Sequence, residues 1–219
     1  MIPKKIFQTH EYSYEDLPEF AKQISLSWQR LNPGWVYTYH DKYQREEYVS
    51  SLSPELFKIY QTVTGMYQAD IWRYLILKNE GGVYADMDSF CITPMDYLFQ
   101  GVPDHIDLIS TEIEKGNNRT VPNHTNNANF AAVKNSQILD KVIKSILDEY
   151  DRVNNASSRF IIHDAFSNIV FENQEIVSPT MRANHGHTYK RQFDQSTEKI
   201  DYYGQEMTYP EFLSNQNMV

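Results

Sequence analysis

One segment constrains this chain more than any other. From Met66 to Glu80, the residues Met66, Tyr67, Ala69, Ile71, Trp72, Tyr74, Leu75 and Leu77 recur at helical spacing and leave little polar surface. Gly81-Gly82 ends that helix, because glycine enters the left-handed region cheaply. Val83-Tyr84-Ala85-Asp86 then reads as a strand, with Asp86-Met87-Asp88 at its carboxyl end. Two charges, Asp70 and Arg73, interrupt the apolar helix three residues apart and so share a face. They need either each other or a polar cleft.

The flanking sequence predicts an α/β sheet with helices on its faces. Residues 4–8 read as a first strand and 17–31 as a helix with Leu17, Phe20, Ala21, Ile24, Trp28 and Leu31 on one stripe. Asn32-Pro33-Gly34 stops it, and residues 35–40 form a β-rich run. Asp41 is placed to cap a helix over 42–50. Ser53 is placed to cap another, with Pro54 in its first turn. Strands are predicted at 106–110 and 129–133, and helices at 136–150 and 164–171. The polar stretch 112–127 reads as a long surface loop, and the chain after Ser178 as irregular. With 219 residues, no repeat and no linker, a single domain spanning 1–219 is expected.

Charge and cysteine count exclude several classes. Lys and Arg number 20 against 29 Asp and Glu, a net charge of −9, which argues against nucleic acid as a partner. The sole cysteine, Cys91, allows no intramolecular disulfide, so a reducing compartment is expected. No apolar run reaches the ~18 residues of a membrane span, and the N-terminus lacks the apolar stretch of a signal peptide. A cytoplasmic location is expected, in a bacterium or a virus-infected cell, or as one piece of a longer enzyme. The sequons at Asn118, Asn123 and Asn155 read as chance matches in Asn-rich loops.

Asp86 and Asp88, two apart on a strand, point to the same side about 6.5–7 Å from each other. A turn after the strand brings both toward one cation. Two hard oxygen donors suit Mg²⁺ or Mn²⁺, which commonly share their shell with substrate phosphates. Ligands of open α/β sheets lie outside the carboxyl ends of strands, where this pair sits. The alternative is a solvated loop carrying two acids.

The whole string from Ala69 to Asp88 decides between them. It resembles the sugar-binding region of Asp-x-Asp glycosyltransferases, the families of α-mannosyltransferases and toxin-type glucosyltransferases. Their pattern is Ala/Ser-Asp-x-x-Arg-Tyr-x-x-Leu-x-x-x-Gly-Gly-x-Tyr-x-Asp-x-Asp, and each fixed position is matched. Weaker likenesses extend it. Residues 2–10 are similar to an opening Ile-Pro-Lys-x-Ile-x-Gln-Thr-Trp, with His10 in place of the tryptophan. Ser27-Trp28 through Trp35, Asn127 to Ala132 and His185 to Tyr189 are similar to later segments.

The resemblance implies a single-domain GT-A fold, a mixed central sheet flanked by helices. It implies that Asp86 and Asp88 hold the metal, and that Asp70 and Arg73 touch the hydroxyls of the donor sugar. Gln8, Thr9, His10, Tyr84, Asn127 and Asn129 are further candidates around the donor, His10 stacking on the uracil or simply exposed. His185 and His187 offer a third metal ligand or a diphosphate contact, His187 preferred; alternatively they are surface histidines. His163-Asp164 reads as a helix cap or a catalytic base pair.

The implied activity is metal-dependent transfer of a sugar from a nucleotide donor, UDP-sugar first and GDP-sugar second, to a glycan or glycoconjugate, with retention. Inversion would need a base, for which Asp164, Asp194 and Glu112 are candidates. The rival class is a catalytically silent GT-A-like module that binds glycan or nucleotide. A nucleotidyltransferase or phosphohydrolase is disfavoured because no Gly-rich phosphate loop with a basic residue is present.

Overall fold

The computed structural model describes residues 1–111, 114–115, 123–152, 158–179, 181, 199–202 and 205–208. The elements run β1 (Lys5–Thr9), α1 (Glu19–Leu31), β2 (Val36–His40), α2 (Lys42–Leu52), α3 (Pro54–Tyr60), α4 (Gly65–Glu80), β3 (Gly82–Ala85) and α5 (Met95–Leu98). They continue with β4 (Leu108–Ile109), β5 (Glu114–Lys115), β6 (Asn123–His124), β7 (Asn129–Ala132), α6 (Gln137–Arg152) and α7 (Ser158–Glu172). A 3-10 turn over Gln174–Ile176, β8 (Val177–Ser178), β9 (Lys199–Tyr202) and β10 (Gln205–Thr208) complete the order.

The central sheet has the order β2-β1-β3-β7-β4-β8. β1 runs parallel to β2 and β3, while β7 runs antiparallel to β3 and β4. The sheet is therefore mixed, as expected. Alternation along each strand divides the core in two. Phe7, Tyr84, Phe130, Leu108 and Ala132 face one way, against Trp72, Leu75 and Ile76 of α4 and the apolar stripes of α6 and α7. Ile6, Val83, Ala85, Ala131 and Ile109 face the other way, against Ile24 and Trp28 of α1 and the segment Phe90–Leu98.

The caps form as the sequence predicts. Asp41 accepts from the Tyr43 and Gln44 amides at 2.8 and 2.9 Å, while Gln44 reaches back to the Asp41 N–H. Ser53 caps α3 through the Leu56 amide at 3.3 Å.

Other expectations need correction. The stretch 112–127 is not wholly loop: β5 and β6 pair within it, and Thr125 and Asn127 are buried. Its polar composition hid this because the buried groups are bonded to one another, as in the Thr125 hydroxyl donating to the Thr111 carbonyl at 3.2 Å. The last helix begins at Ser158 rather than near 164. The chain beyond Ser178 is not all irregular, since β9 and β10 form an antiparallel pair. Asn118 and Asn155 lie outside the described residues. Among the described residues, no helix is long and apolar enough to cross a membrane. Cys91 is buried, and burial pushes its thiol up to about 12, so it behaves as a small apolar side chain.

The turn from α4 to β3 tolerates only glycine. Gly81 and Gly82 have φ of +63° and +121°. A Cβ on Gly82 would stand 2.6 Å from the Lys5 carbonyl oxygen of the neighbouring strand. Backbone strain and overpacking add, so Gly82→Ala is predicted to lower stability by about 2–4 kcal/mol. Urea unfolding of the two proteins measures this, and a change below about 0.5 kcal/mol, the range of a neutral surface site, would contradict it.

Candidate active site

The carboxyl ends of β1, β2 and β3 meet the start of β7 along one edge of the sheet. There the Asp86 amide donates to the Ala128 carbonyl at 2.8 Å, extending the β3–β7 pairing by one step beyond the strand. Asp86-Met87-Asp88 turns away immediately afterwards, and the Ser89 amide closes the turn on the Asp86 carbonyl at 3.0 Å. Helix α1 pins the residues just past the turn. Trp28 Nε1 donates to the Ser89 carbonyl at 2.7 Å, and the Cys91 amide donates to Ser27 Oγ at 2.9 Å. The likeness of the Ser27-Trp28 segment to its relatives thus has a physical content: it clamps the chain leaving the acidic turn.

Arg73 sits beneath that turn. Its Nη1 donates to the Asn127 carbonyl at 2.6 Å, and its Nη2 stands 3.1 Å from Asp86 Oδ1 and 3.3 Å from Asp70 Oδ1. The guanidinium carbon lies 4.3 Å from the Tyr84 ring centre, and the Tyr84 hydroxyl donates to Asp86 Oδ1. Asn127 joins the cluster, its amide donating to Asp70 at 2.9 Å and lying 2.7 Å from the Tyr74 hydroxyl.

Asp70 and Arg73 are each 3% exposed. Burial raises the Asp70 pKa and Asp86 repels its charge, while Arg73 and Asn127 pull it back. Burial opposes the Arg73 charge, but Asp86, Tyr84 and Asp70 more than offset it and hold the guanidinium firmly protonated. Burial keeps the Tyr74 and Tyr84 hydroxyls protonated as well, so Tyr84 acts as a donor.

A cleft of about 280 Å³ opens over this cluster. Of the residues singled out in the sequence, Thr9, His10, Arg73, Tyr84, Asp86 and Asp88 line it. Gln8, Asn127 and Asn129 lie underneath as buried supports. Gln8 Nε2 donates to the Asp86 carbonyl at 3.1 Å, and Asn129 Nδ2 donates to Ser89 Oγ at 3.0 Å. Asp164 is half-buried on α7 and does not line the cleft. His185, His187, Asp194 and Glu112 lie outside the described residues, as does the side chain of His163.

Glu11 and Arg45 also line the cleft and went unrecognised in the sequence, and Met66, read there as part of the apolar stripe, is instead mostly exposed and lines the cleft. For Arg45 a signal existed: it stands four residues before Val49, on the buried face of α2.

The donor set fits a hard divalent cation. Asp86 and Asp88 are two half-exposed carboxylates on one turn, and Arg73 and Tyr84 both engage Asp86 through Oδ1, so its Oδ2 has no partner among the described residues. Mg²⁺ or Mn²⁺ accepts one or two protein carboxylates and completes its shell with water and phosphate. Among the described residues no group of three or more His, Cys, Asp or Glu side chains converges, so protein donors alone do not enclose an ion there.

Residues 18–106 match the family described as glycosyltransferase sugar-binding region containing DXD motif. Asp86-Met87-Asp88 is the Asp-x-Asp within the matched residues. Mannosyl phosphorylinositol ceramide synthase SUR1 of Saccharomyces cerevisiae is 32% identical over 99 residues, which are 45% of this chain and 25% of that protein. The initiation-specific alpha-1,6-mannosyltransferase of Candida albicans is 32% identical over 102 residues, 43% of this chain and 26% of that one. The match therefore spans about a quarter of the length of these curated relatives. The solved structure of PaToxG glycosyltransferase superposes with a TM-score of 0.58 at 16% identity, covering 80% of this chain and 73% of that one. The fold is the GT-A fold.

Among the described residues of this cluster, Arg73 is the one cation set against two acids, Asp70 and Asp86, so its removal leaves Asp70 uncompensated. Arg73→Ala is predicted to lower stability in metal-free buffer by about 3–5 kcal/mol, the cost of breaking a buried ion pair. Adding Asp70→Asn should recover part of that loss, because it removes the stranded charge. Denaturant unfolding of the single and double variants checks both; a loss under about 1 kcal/mol, typical of an exposed pair, would refute the buried-pair reading.

Proposed function

We propose that this chain is a metal-dependent glycosyltransferase that takes a sugar from a nucleoside-diphosphate donor, a UDP-sugar or a GDP-sugar, and delivers it to a glycan or glycoconjugate. The observation that carries the reading is the Asp86–Asp88 pair lining a cleft directly above the locked Asp70–Arg73–Asn127 cluster.

Charge explains why these residues need a cation. A diphosphate brings about two negative charges toward Asp86 and Asp88, and unit charges 4 Å apart repel by roughly 4 kcal/mol at an effective dielectric near 20. Arg73 does not offset this, because its fork is committed to Asp70, Asp86 and the Asn127 carbonyl. Asp86 and Asp88 would hold Mn²⁺ or Mg²⁺, which would supply positive charge toward the diphosphate and its departure.

The remaining residues position. Asp70, buried beneath the cleft, uses Oδ1 for Asn127 and Arg73 and so holds the Arg73 guanidinium that reaches the cleft lining. Arg73 and Tyr84 hold Asp86 in one orientation through its Oδ1. Gln8 fixes the Asp86 backbone from below, itself held by the Tyr37 hydroxyl at 2.9 Å. Such prior fixing lowers the entropy that binding must overcome.

Retention is the stereochemistry we favour. The carboxylates that line the cleft among the described residues are Glu11, Asp86 and Asp88. Two of these are the proposed metal ligands and the third is ion-paired to Arg45. A route in which the departing diphosphate takes the acceptor's proton needs no further carboxylate.

Asp86→Asn and Asp88→Asn are each predicted to weaken Mn²⁺-dependent nucleotide binding by more than about 100-fold, beyond the 10–100-fold that loss of an outer-sphere partner costs, and to abolish sugar transfer. Calorimetric titration together with detection of released nucleoside diphosphate measures both, with thermal unfolding confirming that the variants fold. Wild-type binding or turnover in either variant would defeat the proposal. Asp70→Ala should raise donor KM or cut turnover by about 10-fold or more, the tenfold per 1.4 kcal/mol expected of one lost charge-assisted contact. Unchanged kinetics would make Asp70 purely structural.

A further inference from the structure

The same cleft holds a second charged pair, contributed by the exit of β1 and by α2. Arg45 is 1% exposed. Its Nη1 donates to Thr9 Oγ1 at 2.9 Å, and that hydroxyl donates onward to the His40 carbonyl at 2.6 Å. Its Nη2 donates to Glu11 Oε1. Glu11 is thus anchored by a cation that the core itself holds still, although its own side chain is 46% exposed. Among the described residues its Oε2 has no partner. The sugar-transfer reading leaves this pair unused.

We propose that Glu11, fixed by Arg45, is the residue that selects the nucleobase of the donor, and that it favours guanine over uracil. The assignment rests on reading the cleft as a nucleoside-diphosphate-sugar site. With the diphosphate at Asp86 and Asp88 and the sugar beside Arg73, we place the nucleoside on the part of the lining given by the exit of β1, α2 and the start of α4: Thr9, His10, Glu11, Arg45, Gly65 and Met66.

That wall suits a flat heterocycle. His10 is half-buried, and burial holds its pKa below the ordinary histidine value despite the pull of Glu11, so the ring is neutral at neutral pH. Its Nδ1 accepts from the Tyr12 amide at 3.4 Å, and the two rings lie 5.2 Å apart. Met66, mostly exposed across the cleft lining, offers a pliable apolar surface.

The carboxylate then discriminates by edge chemistry. Guanine presents two adjacent donors, N1–H and the N2 amino group, to a carboxylate that accepts only. Uracil presents one N3–H between two carbonyl oxygens, each of which repels the anion. Adenine sets its amino group beside an acceptor nitrogen and gains one bond at most. A site built around hydrogen bonds rejects a partner that leaves it unpaired. The order expected from the resemblance, UDP before GDP, is thereby reversed.

The test is calorimetric titration of the full chain with GDP and with UDP in the presence of Mn²⁺, for wild type and Glu11→Gln. Glutamine keeps an acceptor for Arg45 but loses the charge and the second acceptor. GDP is expected to bind at least about 10-fold tighter than UDP, partial exposure of Glu11 keeping the ratio well below that of an enclosed site. Glu11→Gln should bring the ratio within about 3-fold, mainly by weakening GDP. Should that variant fail to fold, Glu11→Asp, which keeps the charge and withdraws the carboxylate by one methylene, must narrow the ratio as well. UDP binding as tightly as GDP to the wild type, or a ratio unmoved by substitution, overturns the assignment and leaves the nucleotide-sugar site intact. Binding of neither nucleotide overturns both.

Discussion

A single buried guanidinium organises the working edge of this sheet. Arg73 reaches from α4 to the Asn127 carbonyl, to Asp70 on its own helix and to Asp86 beyond β3. Removing a guanidinium from water costs several kcal/mol, and here that cost is offset by three acceptors and an aromatic face. The ion pairs tie together a helix, a strand end and the segment entering β7, which are distant in sequence. The acidic turn beyond β3 therefore stands on a charged, hydrogen-bonded floor.

Geometry elsewhere serves the same edge. Gly81 and Gly82 let α4 reverse straight into β3, so that Asp70 and Arg73 on the helix lie beside Asp86 after only a short strand. The Trp28 and Ser27 contacts hold the chain leaving Asp88, and Gln8 and Asn129 support the turn from within the sheet. Most of these supports are neutral hydrogen bonds, which position charge without adding to it. The negative charge that remains belongs to the half-exposed carboxylates, where a cation and a diphosphate can meet.

Much of this was legible in the sequence, and the reason is local. Residues 65–88 form one helix, one turn and one strand, each specified by its own periodicity and by two glycines, and the Asp-x-Asp comes directly after. The caps at Asp41 and Ser53 were readable for the same reason. What escaped depends on contacts between distant segments. The pairing of β5 with β6 and the burial of Thr125 lie in a polar stretch whose partners come from elsewhere in the fold. Gln8, Asn127 and Asn129 looked like ligand contacts and turn out to sit beneath the cleft, because strand-end residues alternate between facing a ligand and facing the core. Arg45 and Glu11 meet across 34 positions of sequence, a pairing that no local pattern announces.

The central claim is that one divalent ion joins Asp86 and Asp88 to the diphosphate of a nucleotide. A crystal structure of the chain with manganese and a nucleoside diphosphate, with anomalous scattering recorded at the manganese edge, tests it most directly. The account predicts one anomalous peak within about 2.0–2.4 Å of a carboxylate oxygen from each aspartate and of phosphate oxygens, as hard-cation coordination requires. A nucleotide bound with no peak at that turn, or a peak held by other residues, would contradict it.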